Sequence, residues 1–192
     1  INDTVGYIKV SDSIFKGKTY GLDQLELIPF SQGEKYEMDA DTISAVLEEG
    51  GKFAAEVLLP INFSGDREGC TLDAGNHVVT TPKSFKEAYA KFVEGGWGAL
   101  SADPAFGGQG LPKTIGAMCG EMQNSANMSF ALCPLLTDGA IEALLTAGSD
   151  DLKNIYLEKL ISGEWTGTMN LTEPQAGSAL ALVRTRAEPL PD

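Results

Sequence analysis

Basic residues are scarce in this chain: 14 Lys and Arg stand against 27 Asp and Glu, giving a net charge of −13 and a pI near 4.4. Without a basic run to neutralise phosphates, a nucleic-acid partner is excluded. Histidine occurs once, as His77. A Ser-His-Asp hydrolase would have to build its triad on that residue, which sits in a turn-flanked segment with no acidic or serine partner nearby in sequence, so His77 is read as a surface side chain. The 3 cysteines, Cys70, Cys119 and Cys133, are odd in number, far apart and lack a Cys-x-x-Cys pair. That pattern fits neither a disulfide framework nor a zinc site, and reduced thiols in a cytoplasmic protein are expected. No apolar run approaches the roughly 18 residues that span a bilayer. No signal peptide is recognisable, and the chain opens on Ile1 rather than Met, so an incomplete or processed N-terminus is expected. The 43% hydrophobic and 21% charged content is that of an ordinary soluble globular protein.

What is present is mostly helical in period. Residues 1–36 are mixed, with VGYIKV readable as a short strand and YGLDQLELIPF as a helical turn stopped by Pro29. From Asp39 onward Ile43, Val46, Leu47, Gly50, Phe53, Ala54, Val57 and Leu58 recur at i, i+3, i+4, i+7, predicting a helix capped by Asp39 or Asp41 and ended by Pro60. Gly50 and Gly51 inside it fit either a close helix crossing or a surface kink. TLDAGNHVVT predicts a hairpin around Ala74-Gly75-Asn76. Ser84-x-x-Glu87 has the form of a capping box ahead of the stripe Phe85, Ala88, Tyr89, Phe92, Val93, and Gly95-Gly96 stops that helix. The loop DPAFGGQGLP lacks the Lys-Ser/Thr of a phosphate-binding Walker loop and the spacing of a dinucleotide fingerprint. A helix is expected over 113–133, a second after Pro134, and a third capped by Ser149, with Leu152, Ile155, Tyr156 and Leu160 on its apolar side.

At Glu164 the period changes. In WTGTMNLTEPQAGS (165–178), Trp165, Gly167, Met169 and Leu171 alternate with Thr166, Thr168, Asn170 and Thr172, predicting a strand with one hydroxyl-rich face. It breaks at Pro174 into a Gln-Ala-Gly-Ser turn able to offer backbone N–H groups and the Ser178 hydroxyl to a ligand. Val183, Thr185 and Ala187 suit a second strand. Two strands alone cannot bury a face, so this part needs more sheet.

This segment resembles the flavin-binding segment of the acyl-CoA dehydrogenase family. The resemblance runs over roughly 36–187 and looks closest to the 3-methylmercaptopropionyl-CoA dehydrogenase branch. It is carried by VLEEGGKFAAEVLLPIN (46–62), FKEAYAKFVEGGW (85–97), DPAFGGQGLP (103–112), LKNIYLEKLISGEWTGTMNLTEPQAGS (152–178) and RTRAE (184–188). It implies a mainly α chain: a 1–36 extension, a helical bundle domain over 37–162, and the first strands of a β-barrel-like middle domain over 163–192. It implies FAD as cofactor, with Met169, Asn170, Leu171, Thr172 and Ser178 binding it. It further implies that Ser178, Met128 and Phe130 line an acyl-CoA site; packing in the core is an equal reading for Met128 and Phe130. An electron-transferring flavoprotein as acceptor and a homo-dimer or tetramer follow by the same resemblance. No metal site and no membrane are implied.

The implied activity is α,β-dehydrogenation of an acyl-CoA thioester. No carboxylate in this chain is credible as its catalytic base: the resemblance makes Glu173 a structural residue. The chain alone is therefore expected to be inactive. It departs from the family at Ala179, where Asp usually follows the Gly-Ser pair, and at Asn170, where Cys or another small residue is common. The alternatives are a truncated, non-catalytic helical binding module and a relative that passes its electrons to oxygen.

Overall fold

A computed structural model describes residues 7–9, 26–28 and 40–188. Near the N-terminus β1 (Tyr7–Lys9) pairs antiparallel with β2 (Glu26–Ile28), Tyr7 opposite Ile28. The segment read as a helical turn before Pro29 is thus partly a strand, because its backbone groups pair with β1. The rest of 1–36, and the capping residue Asp39, lie outside the described residues.

The first long amphipathic pattern forms α1 (Ala40–Lys52), but Pro60 does not end it. The helix widens into a π-helical stretch, Phe53–Leu58, in which the Leu59 N–H donates to the Ala54 carbonyl five residues back. The added residue resets the ladder, and α2 (Leu59–Glu68) begins with Pro60 in its first turn, where a missing N–H is harmless. Gly50 marks a close crossing: a Cβ there would stand 3.1 Å from Cys119 Sγ.

The hairpin forms as expected, with β3 (Thr71–Asp73) antiparallel to β4 (Val78–Thr80). The Asp73 carboxylate accepts from the Gly75 and Asn76 amides, which shapes the turn, and His77 is exposed. Next, α3 (Lys83–Glu94) starts at Pro82, so Ser84 lies inside its first turn and caps nothing. Instead Glu68 accepts from the Lys83 amide at 3.3 Å.

The spine of the bundle is α4 (Lys113–Ala147), 35 residues long. Its break is not at Pro134 but at Asn127, whose backbone leaves the helix at φ −159°, ψ 87°. The Asn127 side chain explains the position: its Oδ1 accepts the Phe130 N–H at 3.1 Å, as an N-cap does for a new helix. By length and composition α4 is apolar enough to cross a membrane, which a search for continuous apolar runs misses. In this fold it packs against α1, the π-helical stretch and α2, and it buries Gln123, Asn127 and Thr137.

The described residues are mainly helical, as expected, with an aromatic cluster at the centre. Phe130 meets Phe92 at 5.9 Å and Phe85 at 6.1 Å, and Phe53 stacks on Trp97 at 5.5 Å. A second core gathers Ala99, Ile141, Leu157, Leu160 and Ile161, closing α5 (Asp150–Ile161) onto α4. Ser149 caps α5 as expected, accepting from the Leu152 amide. The buried side of α5, however, is Leu157, Leu160 and Ile161; Leu152, Ile155 and Tyr156 are exposed. The helix carries apolar residues on more than one face, and the packing of α4 selects among them.

Candidate functional site

The chain leaves α5 through Gly163, whose φ of +80° favours glycine and whose missing Cβ would fall 2.7 Å from Val93 Cγ2. Tyr89 fixes this exit by donating its hydroxyl to the Gly163 carbonyl at 3.0 Å. Burial raises the Tyr89 phenol above its ordinary pKa, with a smaller contribution from Cys133, so it remains a donor. Trp165 folds back: its amide donates to the Lys159 carbonyl at 2.9 Å, and the Lys159 ammonium sits 4.3 Å from its ring centroid.

Two residues later the segment is laid across the second half of α4. The Gly167 amide donates to Thr137 Oγ1 at 3.1 Å, while that hydroxyl donates to the Cys133 carbonyl. A Cβ on Gly167 would stand 2.6 Å from the Ala140 Cβ, so only glycine permits the approach. Thr137 and Gly163 also line a cavity of about 180 Å³ with Tyr89, Phe92, Val93 and Pro134.

From Thr166 to Thr172 the chain has no regular secondary structure, and the predicted strand does not form: among the described residues no ladder partner meets it. A strand needs the N–H and C=O groups of a neighbour. Past Gly167 the side chains of the run are open to solvent, with Met169 66% and Leu171 45% exposed. Asn170, Thr172 and Ser178 are exposed too. The expected second strand at Val183, Thr185 and Ala187 is likewise absent. Leu180–Leu182 form a 3₁₀ turn, and the Arg184 and Thr185 amides turn inward to Glu173.

The cofactor-binding residues expected from the sequence, Met169, Asn170, Leu171, Thr172 and Ser178, thus lie along one exposed strip. The two expected pocket residues part company. Phe130 is 4% exposed among Phe85, Tyr89 and Phe92, whereas Met128, one residue past the break in α4, is 61% exposed. Thr137 and Asn127 were not singled out by sequence; the small, polar run Ser125–Ser129 in an apolar helix was the available signal for Asn127, and Thr137 had none.

A larger hollow of about 500 Å³ lies between residues 97–102 and the two halves of α4, with Trp97, Cys119, Gln123 and Asp138 on its wall. Across its mouth Lys113 Nζ pairs with Glu142 Oε1 at 2.5 Å. Desolvation by the surrounding wall, reinforced by Glu142 and opposed by Lys113, pushes the Asp138 carboxyl up to about 6, although Asp138 is an exposed residue. Among the described residues no group of His, Cys, Asp and Glu could hold a metal ion.

The helical bundle thus runs into an exposed, hydroxyl-rich segment. The family model described as "Acyl-CoA dehydrogenase, N-terminal domain" matches residues 41–164, and the chain belongs to the acyl-CoA dehydrogenase family. It is 53% identical over 156 residues to a 3-methylmercaptopropionyl-CoA dehydrogenase of Ruegeria pomeroyi, a match covering 81% of this chain and 26% of that protein. It is 39% identical over 150 residues to a butyryl-CoA dehydrogenase of Syntrophomonas wolfei, covering 78% of this chain and 24% of that one. The chain thus spans about a quarter of the length of these relatives. Among solved structures, a glutaryl-coenzyme A dehydrogenase complex shares the fold with a TM-score of 0.62 at 20% identity, covering 78% of this chain and 35% of that one. Butyryl-CoA dehydrogenase from Megasphaera elsdenii shares it with a TM-score of 0.61 at 19% identity, covering 77% and 36%.

Proposed function

We propose that this chain is the N-terminal portion of an FAD-dependent acyl-CoA dehydrogenase that introduces an α,β double bond into an acyl-CoA thioester, with 3-methylmercaptopropionyl-CoA as the first substrate to test. The carrying observation is the exposed strip Met169–Ser178 in a chain 53% identical to a 3-methylmercaptopropionyl-CoA dehydrogenase over 156 residues. The division is a helical domain over 37–162 followed by the opening of a middle domain from 163, with 1–36 as an extension.

The strip suits a flat aromatic cofactor. Exposed Met169 and Leu171 offer apolar surface, while Asn170, Thr172 and the Ser178 hydroxyl offer polar contacts beside it. When bound, FAD supplies the acceptor for the hydride leaving the β carbon. The part played by this chain is to bind and orient: Thr137 and Tyr89 fix where the strip begins, and Thr172 and Ser178 present hydroxyls along it. The α proton needs a carboxylate base, and no residue of this chain is assigned that role. The base belongs to the remaining length that the relatives have. Acyl-CoA as substrate, an electron-transferring flavoprotein as acceptor, a homo-oligomeric assembly and a cytoplasmic location complete the reading.

The test is anaerobic titration of the flavin-loaded, full-length protein with 3-methylmercaptopropionyl-CoA and butyryl-CoA, following loss of flavin absorbance. Bleaching by a thioester is expected; no bleaching with any acyl-CoA would overturn the proposal. Flavin absorbance in the purified 192-residue chain alone would show that the remaining length is not needed for binding. A second reading, a non-catalytic helical binding module of the same family, draws on the bundle burying its own aromatic core; it predicts a chain that binds no flavin in any form.

A further inference from the structure

Beyond the strip itself, one carboxylate ties together residues 173–185. We propose that Glu173 is the positioning residue of this segment: it fastens the Glu173–Ala176 turn to the Arg184–Thr185 backbone and closes residues 173–185 into one preformed loop that carries Ser178. At the near end of the loop, the Glu173 amide donates to the Ala176 carbonyl at 3.1 Å and the Ala176 amide donates back at 3.0 Å. Ala176 is fully buried in this turn.

At the far end, the two oxygens of the Glu173 carboxylate receive the chain as it returns. Oε2 accepts from the Arg184 amide at 3.0 Å and Oε1 from the Thr185 amide at 2.8 Å. The Thr185 hydroxyl and the Gln175 side-chain amide donate to the same carboxylate. Gln175 also donates to the Leu182 carbonyl at 3.4 Å, and the Leu182 and Val183 amides donate to the Ala179 and Leu180 carbonyls. The excursion between the ends is therefore braced from inside, without a sheet.

A carboxylate suits this task because only it offers two acceptor oxygens at once. Donors of this number favour the ionised form: the Thr185 hydroxyl first, then the Arg184 and Thr185 amides, hold the carboxyl down at about 2. The loop is thus set before any ligand arrives, and Ser178 is offered at a fixed place between its ends. That the loop serves a flavin and acyl-CoA site rests on the function proposed above; that Glu173 closes it does not.

The experiment compares the wild-type chain with Glu173→Ala and Glu173→Gln by amide hydrogen exchange and ¹H–¹⁵N NMR, with FAD titration of the full-length protein as a separate arm. Exchange at Arg184 and Thr185 is expected to speed up by about tenfold or more in Glu173→Ala, with an intermediate effect in Glu173→Gln, which keeps one acceptor oxygen. The helical melting transition should stay where it is. In the wild type alone, the Thr185 amide proton should shift as Glu173 is protonated at low pH, a signature that a merely space-filling side chain would not give. Equal exchange at Arg184 and Thr185 in all three proteins would overturn the proposal. Unchanged FAD affinity in a Glu173→Ala protein whose loop has opened would overturn the loop's service to the flavin site and leave the clasp standing; a rise of about tenfold in Kd supports both. If wild-type protein binds no FAD while the exchange pattern holds, the clasp stands and the flavin reading fails.

Discussion

The Asn127 side-chain amide donates to the Leu58 carbonyl at 3.3 Å, joining the break in α4 to the end of the π-helical stretch that follows α1. The two distortions face each other, and one buried side chain serves both.

Replacing Asn127 by Ala leaves the Leu58 carbonyl and the Phe130 amide short of a partner where water does not reach. Each lost buried partner costs about 1–3 kcal/mol, so the expected loss is about 2–4 kcal/mol. Urea unfolding followed by circular dichroism should show a lower midpoint at an unchanged slope.

The paired glycines of α1 should respond in opposite senses. At Gly51 an added Cβ meets Met122 Sδ at 3.9 Å, an ordinary contact, so Gly51→Ala gains helix propensity, about 0.5–1 kcal/mol. At Gly50 the Cβ is pressed to 3.1 Å from the buried Cys119 Sγ, and Trp97 stands behind it at 3.5 Å. Overpacking of about 1–3 kcal/mol then outweighs the propensity gain. A thermal melt should rise by about 2–4 °C for Gly51→Ala and fall for Gly50→Ala.

Phe130 and Met128 separate core from surface. Phe130→Ala removes a ring packed against three other aromatics and should cost about 3–5 kcal/mol. Met128→Ala, at a side chain 61% exposed, should change stability by under about 0.5 kcal/mol. Any effect of Met128→Ala on acyl-CoA affinity would then report on the ligand alone.

Asp138 gives the folded state a pH dependence of defined sign. Its carboxyl is raised from 3.8 to about 6, so the folded chain holds this proton more tightly than the unfolded chain. Its contribution is fully favourable below the unfolded value, is lost as pH rises through that window, and is wholly lost above about 6. Asp138→Asn should therefore melt higher than wild type at pH 7–8, with the difference closing below about pH 4. Melting curves across that range decide it, and a constant offset would contradict the assignment.

The helices could be read along the chain because an amphipathic stripe is a local property. Phe85, Ala88 and Phe92 declare the buried side of α3 by spacing alone, and Ser149 with Asp150 and Asp151 declares the start of α5. The hairpin at 71–80 was legible for the same reason, its turn being built by Asp73 with its own neighbours. Met169, Asn170, Leu171, Thr172 and Ser178 were singled out from the resemblance carried by the Leu-Thr-Glu-Pro wording, and each of them is exposed.

Where two local signals conflicted, the packing chose. Pro60 and Pro134 both read as helix ends, yet the chain continues through each: a π-helical turn shifts Pro60 into a first turn, and Pro134 stays inside α4, whose break lies at Asn127. The alternating run at 165–172 predicts a strand, but a ladder is a property of two chains of backbone groups, and one strip cannot supply it. The sequence by itself determined the helical class, the turn chemistry and the polar strip, since each depends on residues a few positions apart. Only the tertiary structure decided which face of α5 is buried, where α4 bends, and that Glu173 reaches Arg184 and Thr185, since those depend on groups that meet only after the chain has folded.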